Sequence, residues 1–328
     1  MTRGPEATGR VVAPIQLGCC PESERCRLCA PSPDWPDAAY VEALIANTRH
    51  RRGTDDVVTA FFGGPPPDDA QLAAASGRTI AARVRPDLLS RAAAERLKRH
   101  GVGEIELDVL TFDTPVLRGL RRRYPGERVV TMARSLREDG FQVGLVLAVG
   151  LPGSSHERSL EDARIAAELA DTVRLHPVLV LHGSELKRAH MDGFYTPLSL
   201  GQAVTTCRAM LDVLEPAGVR VIRVGQQPGP DGLGTAVAGP RHSSLRELVE
   251  ARRTLDRLRD LLRAERFRGE VVIHCASADE TRTRGPLNDN VRTLRAEFGL
   301  EALVVRADPG LERGELRCSV EPRIEEAS

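Results

Sequence analysis

The sequence predicts an α/β protein in which an open barrel of parallel strands and covering helices is followed by a small, separate α/β unit. Three observations carry this. From Val11 to about Gln227, short apolar runs alternate with amphipathic stretches of helical length, the pattern of repeated βαβ units. The runs are rich in Val, Leu and Ile on both faces, which suits a parallel sheet covered by helices and not a half-solvated antiparallel one. A Gly/Pro-rich segment at 226–242 and a long charged helix, roughly 243–266, then interrupt the alternation, which restarts on a smaller scale near Arg268. The predicted domains are therefore 1–267, a barrel with a helical extension, and 268–328, a small α/β unit.

Seven strands are expected in the first domain: 11–17, 57–63, 79–84, 104–111, 141–150, 172–180 and 219–225. Helices are expected between them at 86–100, 126–139, 155–171 and 199–215, several opened by the Ser or Pro that a helix start favours. In parallel barrels the chemistry sits at the C-terminal ends of the strands. The conspicuous loops fall there: 18–29 after the first strand, Gly63-Gly64 after the second, and Gly150-Leu151-Pro152-Gly153 after the fifth. The second unit reads strand (270–275), helix (286–298), strand (302–306), a turn at Asp308-Pro309-Gly310, and strand (314–320).

The 328 residues are 41% hydrophobic and 28% charged, and no apolar run approaches the ~20 residues that cross a bilayer. No membrane partner is expected. The first ten residues lack the apolar core and cleavage site of a secretory signal, so a cytoplasmic location is expected. The net charge of zero announces no global field for nucleic acid.

Of seven cysteines, four crowd into Cys19, Cys20, Cys26 and Cys29, which argues for metal or redox chemistry and against a disulfide framework. Cys20, Cys26 and Cys29 are spaced C-x5-C-x2-C, and Cys19 offers C-x6-C-x2-C instead, so three thiolates converge on one loop either way. A structural zinc site wants four closed ligands. Three thiolates on a 4Fe-4S cluster leave one iron open for a substrate or cofactor. A four-thiolate site using both Cys19 and Cys20 stays open as the alternative.

The segments LGCCPESERCRLC, AFFGG, VRPDLL, GVGEIELDVLTFDTPVL and GFQVGLVLAVGLPG resemble, in that order, radical S-adenosylmethionine (SAM) enzymes related to the catalytic subunit of Elongator. VRLHPVLVLHGSEL, YTPLSLGQAV, VIRVGQQP and AGPRHSSLRELVE are similar to a bacterial branch that lacks the acetyltransferase domain. The resemblance spans about residues 11 to 320. It implies a partial (βα)6-type TIM barrel, with a 4Fe-4S cluster on three of Cys19, Cys20, Cys26 and Cys29. The open iron would chelate SAM, whose one-electron reductive cleavage releases a 5′-deoxyadenosyl radical that abstracts hydrogen. It further implies that Gly63 and Gly64 admit the methionine amino group, Arg122 meets the SAM carboxylate, and Gly150 and Gly153 shape the turn facing adenine.

The implied partners are RNA or tRNA as substrate and an electron donor such as a flavodoxin or ferredoxin. The tail looks like a degenerate KH-type RNA-binding module, with Gly285 as the remnant of a GxxG loop beside Arg282, Arg284 and Asn288. Departures from the family pattern are GGPPP after the second strand, Leu110 where a glutamine is frequent, and the doubled cysteine. Arg174 and His176, on the sixth strand, contact substrate or are ordinary satisfied polar residues. Two other functions stay open: a metal-bearing RNA-binding protein without turnover, and radical chemistry on a small molecule.

Overall fold

The structure is a computed structural model and describes residues 11–16, 26–29, 37–52, 57–226, 236–265, 267 and 269–320. In the first unit the strands are β1 (Val11–Gln16), β2 (Val57–Phe62), β3 (Ile80–Val84), β4 (Val102–Leu110), β5 (Gln142–Val149), β6 (Thr172–Pro177), a short β7 (Val180–Leu181) and β8 (Arg220–Val224). All but β7 form one sheet in the order β1-β2-β3-β4-β5-β6-β8, with every neighbouring pair parallel. The seven expected strands are those that form. The sixth is shorter than the sequence suggests, because Pro177 has no N–H to give to the ladder and the chain leaves the sheet there. Val180–Leu181 pairs instead, antiparallel, with β9 (Ala236–Ala238).

The helices of this unit are α1 (Ala38–Arg52), α2 (Asp69–Ala74), α3 (Arg91–Arg99), α4 (Thr114–Gly119), α5 (Gly126–Glu138), α6 (His156–Leu169), α7 (Glu185–Met191) and α8 (Leu200–Leu214). Serine side chains cap them as expected: Ser155 accepts from the Arg158 amide, and Ser199 forms a reciprocal capping box with Gln202. The helix expected from Pro86 starts later, at Arg91. Arg85 grips Asp87 through Nε (3.0 Å) and Nη2 (2.5 Å), and Ser90 caps the helix at the Ala93 amide.

The sheet is curled. β2 and β6 stand four places apart in the strand order, about 19 Å in a flat sheet at the usual strand spacing. Yet the Arg174 guanidinium on β6 lies 5.7 Å from the centre of the Phe62 ring on β2. Side chains on this concave face therefore meet across the lumen, the geometry of a partial TIM barrel. The opposite face is apolar: Ile80, Ala82 and Val84 of β3 and Ile105, Leu107 and Val109 of β4 are almost fully buried.

A buried carboxylate ties one helix to the mouth of the barrel. Asp162 on α6 accepts from the Phe112 amide (2.8 Å) and the Thr111 hydroxyl (3.0 Å), just past β4. Burial pushes its pKa up from 3.8 to about 6, against the pull of those two bonds. A carboxyl raised on folding binds its proton more tightly in the native state, so stability is lost as pH rises from about 4 through 6. Asp162→Asn keeps the accepting oxygen without the charge. The wild type is expected to lose about 2 kcal/mol relative to this variant between pH 4 and 7, by urea unfolding at each pH; parallel stability curves would refute this.

The second unit runs from Ser244 to Ser328. It contains α9 (Leu245–Glu265), β10 (Glu270–Cys275), α10 (Glu280–Arg284), α11 (Asp289–Phe298), β11 (Ala302–Ala307) and β12 (Leu316–Val320). β10 is central, parallel to β11 and antiparallel to β12. The sequence places the long helix in the first domain, with a boundary at 267, whereas in the structure it packs with the second unit. Its Leu255, Leu258 and Leu262 join Val271, Ile273, Leu294 and Val305 in one apolar cluster. At the helix start near the expected nucleotide-gripping turn, Arg282 pairs with Asp279 (3.4 Å) and Arg284 with Glu280 (2.7 Å). Among the described residues no helix is long and apolar enough to cross a membrane.

Candidate functional site

Cys26 and Cys29 lie on one tight turn, with their sulfurs 3.4 Å apart. Two backbone bonds pin the turn to the mouth of the barrel: the Arg27 amide donates to the Leu120 carbonyl (3.4 Å), and the Leu186 amide donates to the Arg27 carbonyl (3.0 Å). Leu28 packs on an apolar cluster of Leu110, Leu120, Leu151, Leu186 and Tyr195, which come from the ends of β4 and β5, the end of α4, and the first turn of α7 and the loop after it. The thiols are thus held by packing on the strand-end side, where parallel barrels do their chemistry.

Arg122 stands behind the turn. Its side chain is 2% exposed and donates to Asp108 Oδ2 at 2.8 Å, and its Nη2 lies 3.9 Å from Cys26 Sγ. Burial opposes the charges of both partners, but their mutual attraction outweighs it: the Arg122 pKa rises and Asp108 is held below the usual carboxyl range. Arg122 Nε is buried without a hydrogen-bond partner among the described residues. A guanidinium at this place would also favour thiolate at Cys26. The hydrogen bond shared with Cys29, followed by burial, instead pushes the Cys26 thiol far up. That bond needs a proton on one of the two sulfurs and disappears when a metal replaces the thiol protons.

The donor set fits an iron-sulfur cluster. Two soft sulfur ligands sit on one turn beside a buried cation that would offset cluster charge. Cys19 and Cys20, the alternatives for the third ligand, lie outside the described residues, and among those described no three His, Cys, Asp or Glu side chains form a metal site. Cys207 and Cys275 are buried in α8 and β10.

The structure brings Cys26, Cys29 and Arg122 together. Gly150, at the end of β5, adopts φ +85°, and a Cβ there would fall 2.7 Å from Leu198 Cγ; its carbonyl accepts from the Tyr195 hydroxyl at 2.7 Å. Gly153 also has positive φ, in the turn that leads to the Ser155 cap. Gly64 is buried at the end of β2, where its carbonyl accepts from the Arg85 amide at 2.7 Å, and Gly63 precedes it half-buried. A cavity of about 570 Å³ lined by Thr114, Arg118 and residues 121–125 reaches Arg122 from the α4–α5 side.

Below the mouth, the lumen is strongly charged. Glu106 on β4 bonds Arg83 Nε on β3 (2.9 Å) and Arg174 on β6, and it is only 6% exposed. β5 lies between β4 and β6, and Gly144 is what lets Glu106 reach across it: a Cβ there would fall 2.6 Å from Glu106 Cγ and 2.8 Å from Thr172 Oγ1. Phe62 stacks beneath Arg83 at 4.8 Å. His176 faces the same lumen two residues beyond Arg174. Burial, then Arg83 and Arg174, holds its pKa well below the ordinary value, and its Nε2 is buried without a hydrogen-bond partner among the described residues.

Sequence reasoning singled out Arg174 and His176 but missed Arg83, Glu106, Asp108 and Arg223. A signal was present: Glu104, Glu106 and Asp108 alternate with Ile105 and Leu107, which places three carboxyls on one face of a strand otherwise expected to be apolar on both.

Comparison with known proteins gives a consistent set of relatives. Residues 170–257 match the Radical_SAM C-terminal domain. The chain is 30% identical over 175 residues to a tRNA uridine(34) acetyltransferase of Dehalococcoides mccartyi, covering 51% of this chain and 37% of that protein. It is 27% identical over 172 residues to the enzyme of the same name from Methanocaldococcus infernus, covering 50% of this chain and 31% of that one. The chain thus matches well under half the length of these curated relatives. The fold is shared with the structure of archaeal Methanocaldococcus infernus Elp3 carrying an N-terminal deletion. That likeness has a TM-score of 0.59 at 19% identity, over 78% of this chain and 63% of the other.

Proposed function

We propose that this protein, a member of the radical SAM superfamily related to the Elongator catalytic subunit, is a cytoplasmic enzyme that cleaves SAM reductively on a 4Fe-4S cluster to modify RNA, with tRNA as the favoured substrate. The observation that carries the reading is the Cys26–Cys29 turn, packed into the barrel mouth with the buried Arg122–Asp108 pair behind it. Cys26, Cys29 and either Cys19 or Cys20 hold the cluster. When bound, the cluster and SAM supply a 5′-deoxyadenosyl radical.

The chain's own residues do the rest. Arg122 offsets the charge of the thiolates, and Asp108 fixes its plane. Gly63 and Gly64 at the end of β2 would admit the methionine amino group of SAM, Gly150 and Gly153 shape the turn after β5, and the packing around the turn keeps water from Cys26. A flavodoxin or ferredoxin would deliver the electron. The tRNA assignment draws on the printed names of the two curated relatives. The tail is proposed as a KH-like unit that contributes to RNA contact through its surface, since Arg282 and Arg284 are already paired within it.

The test is electron paramagnetic resonance of anaerobically reconstituted, dithionite-reduced protein with and without SAM, beside an assay for 5′-deoxyadenosine. A reduced-cluster signal that changes with SAM, together with SAM cleavage, is expected. A cluster indifferent to SAM would leave a metal-bearing RNA-binding protein without turnover.

A further inference from the structure

The lumen carries more guanidinium than carboxylate. Arg83 and Arg174 share the single carboxylate of Glu106. Arg223, on β8 and paired in register with Arg174, has no carboxylate within ion-pair reach among the described residues. Its Nε donates to the Gly225 carbonyl (3.3 Å) and its Nη2 to the Gln226 carbonyl (3.1 Å). Burial, then the charges of Arg174 and Arg83, lowers its pKa. The nearby acids do not relieve this crowding. Asp108 is bound to Arg122, and Glu104 bonds Thr172 (3.2 Å) with its own carboxyl pushed up by burial and by Glu106. Three guanidiniums thus crowd around one carboxylate, Arg223 bonds only backbone carbonyls, and the His176 Nε2 is buried beside them without a hydrogen-bond partner among the described residues.

We infer that Arg174 and Arg223 grip an anionic group, carboxylate or phosphate, of the molecule that gives up hydrogen, and that His176 completes the contact. Partly buried cations of like sign are costly unless a counter-charge joins them. The planar fork of arginine matches a two-oxygen anion. The stacking of Phe62 against Arg83 and Arg174 orients the two guanidiniums that hold Glu106, and Arg174 in turn is aligned with Arg223. The inference rests on the enzyme reading in taking the lumen as the substrate's place, while its test needs no turnover.

Full-length, anaerobically reconstituted protein would be titrated with inorganic phosphate and with acetate at constant ionic strength in chloride, reading the thermal unfolding midpoint. At ten times its dissociation constant the favoured anion should raise the wild-type midpoint by about 3 °C. The shift should vanish in Arg223→Gln. Arg223→Lys, which keeps the charge and loses the fork, serves also if the glutamine variant does not fold, and should bind the anion about tenfold more weakly. A response to phosphate alone identifies a phosphoryl group, and a response to acetate alone a carboxylate. No wild-type response to either anion, or an equal response in the variants, overturns the inference. So does an Arg223→Gln protein in which SAM no longer perturbs the reduced-cluster signal, since the anion would then be the carboxylate of SAM. Failure to cleave SAM, by contrast, bears on the enzyme reading alone.

Discussion

Serine in place of Cys29 is expected to strip the iron from reconstituted protein and to cut 5′-deoxyadenosine formation below about one hundredth of wild type, beyond the 10–100-fold that a change outside the ligand shell costs. A serine hydroxyl is a harder and far less acidic donor than a thiol, so it cannot replace a thiolate on iron at neutral pH. Cys29 is the preferred position because it is half-exposed, whereas Cys26 is 3% exposed and its loss would also disturb packing. The same measurement decides the first ligand: of Cys19→Ser and Cys20→Ser, one should lose its iron and the other keep it. Cys207→Ser, buried in α8 away from the turn, should keep iron and serves as the control. Equal iron in Cys29→Ser and wild type, counted chemically and by absorbance, would remove the cluster from this site altogether.

What could be read from the sequence divides along physical lines. The seven strands were legible because short runs rich in Val, Leu and aromatic residues between turn-forming segments constrain local structure strongly, as at 57–62 and 142–149. The helix caps Ser155 and Ser199 were legible because a cap is a bond within three residues. The ownership of α9 was not. Its apolar stripe shows that it packs on something, and only the tertiary structure says that Leu255, Leu258 and Leu262 face the small sheet. The cysteine motif was legible from spacing, since its members share one loop. The lumen network was not, because Arg83, Glu106, Arg174 and Arg223 come from four strands and meet only through the curl of the sheet. Leu110, noted from sequence as a departure, turns out to sit at φ +68° where the β4–β5 register slips, so the end of β4 is shaped by an irregular backbone that no period-2 pattern announces.

Glu106→Gln should be the most destabilising conservative change in the barrel. The glutamine has the same shape, so no cavity opens, but its one oxygen can accept from Arg83 or Arg174 and its amide then points its hydrogens at the other guanidinium. Arg83, Arg174 and Arg223 would be left crowded on one another with no carboxylate bonded to them among the described residues. Breaking a buried ion pair by removing one partner costs about 3–5 kcal/mol. The low end, about 3 kcal/mol, is expected because the two arginines keep 17% and 19% of their side-chain surface and retain some water. Urea unfolding at pH 7 measures it. A loss under about 1 kcal/mol would mean that lumen water already satisfies the guanidiniums, as it does for surface pairs. The variant also turns stability into a reporter of the site. With the internal carboxylate gone, an added anion has three arginines to neutralise, so phosphate or acetate should restore part of the lost stability and raise the midpoint by more than in the wild type. In the double variant with Arg223→Gln that restoration should shrink, which ties the internal carboxylate and the external anion to one charge balance in the lumen.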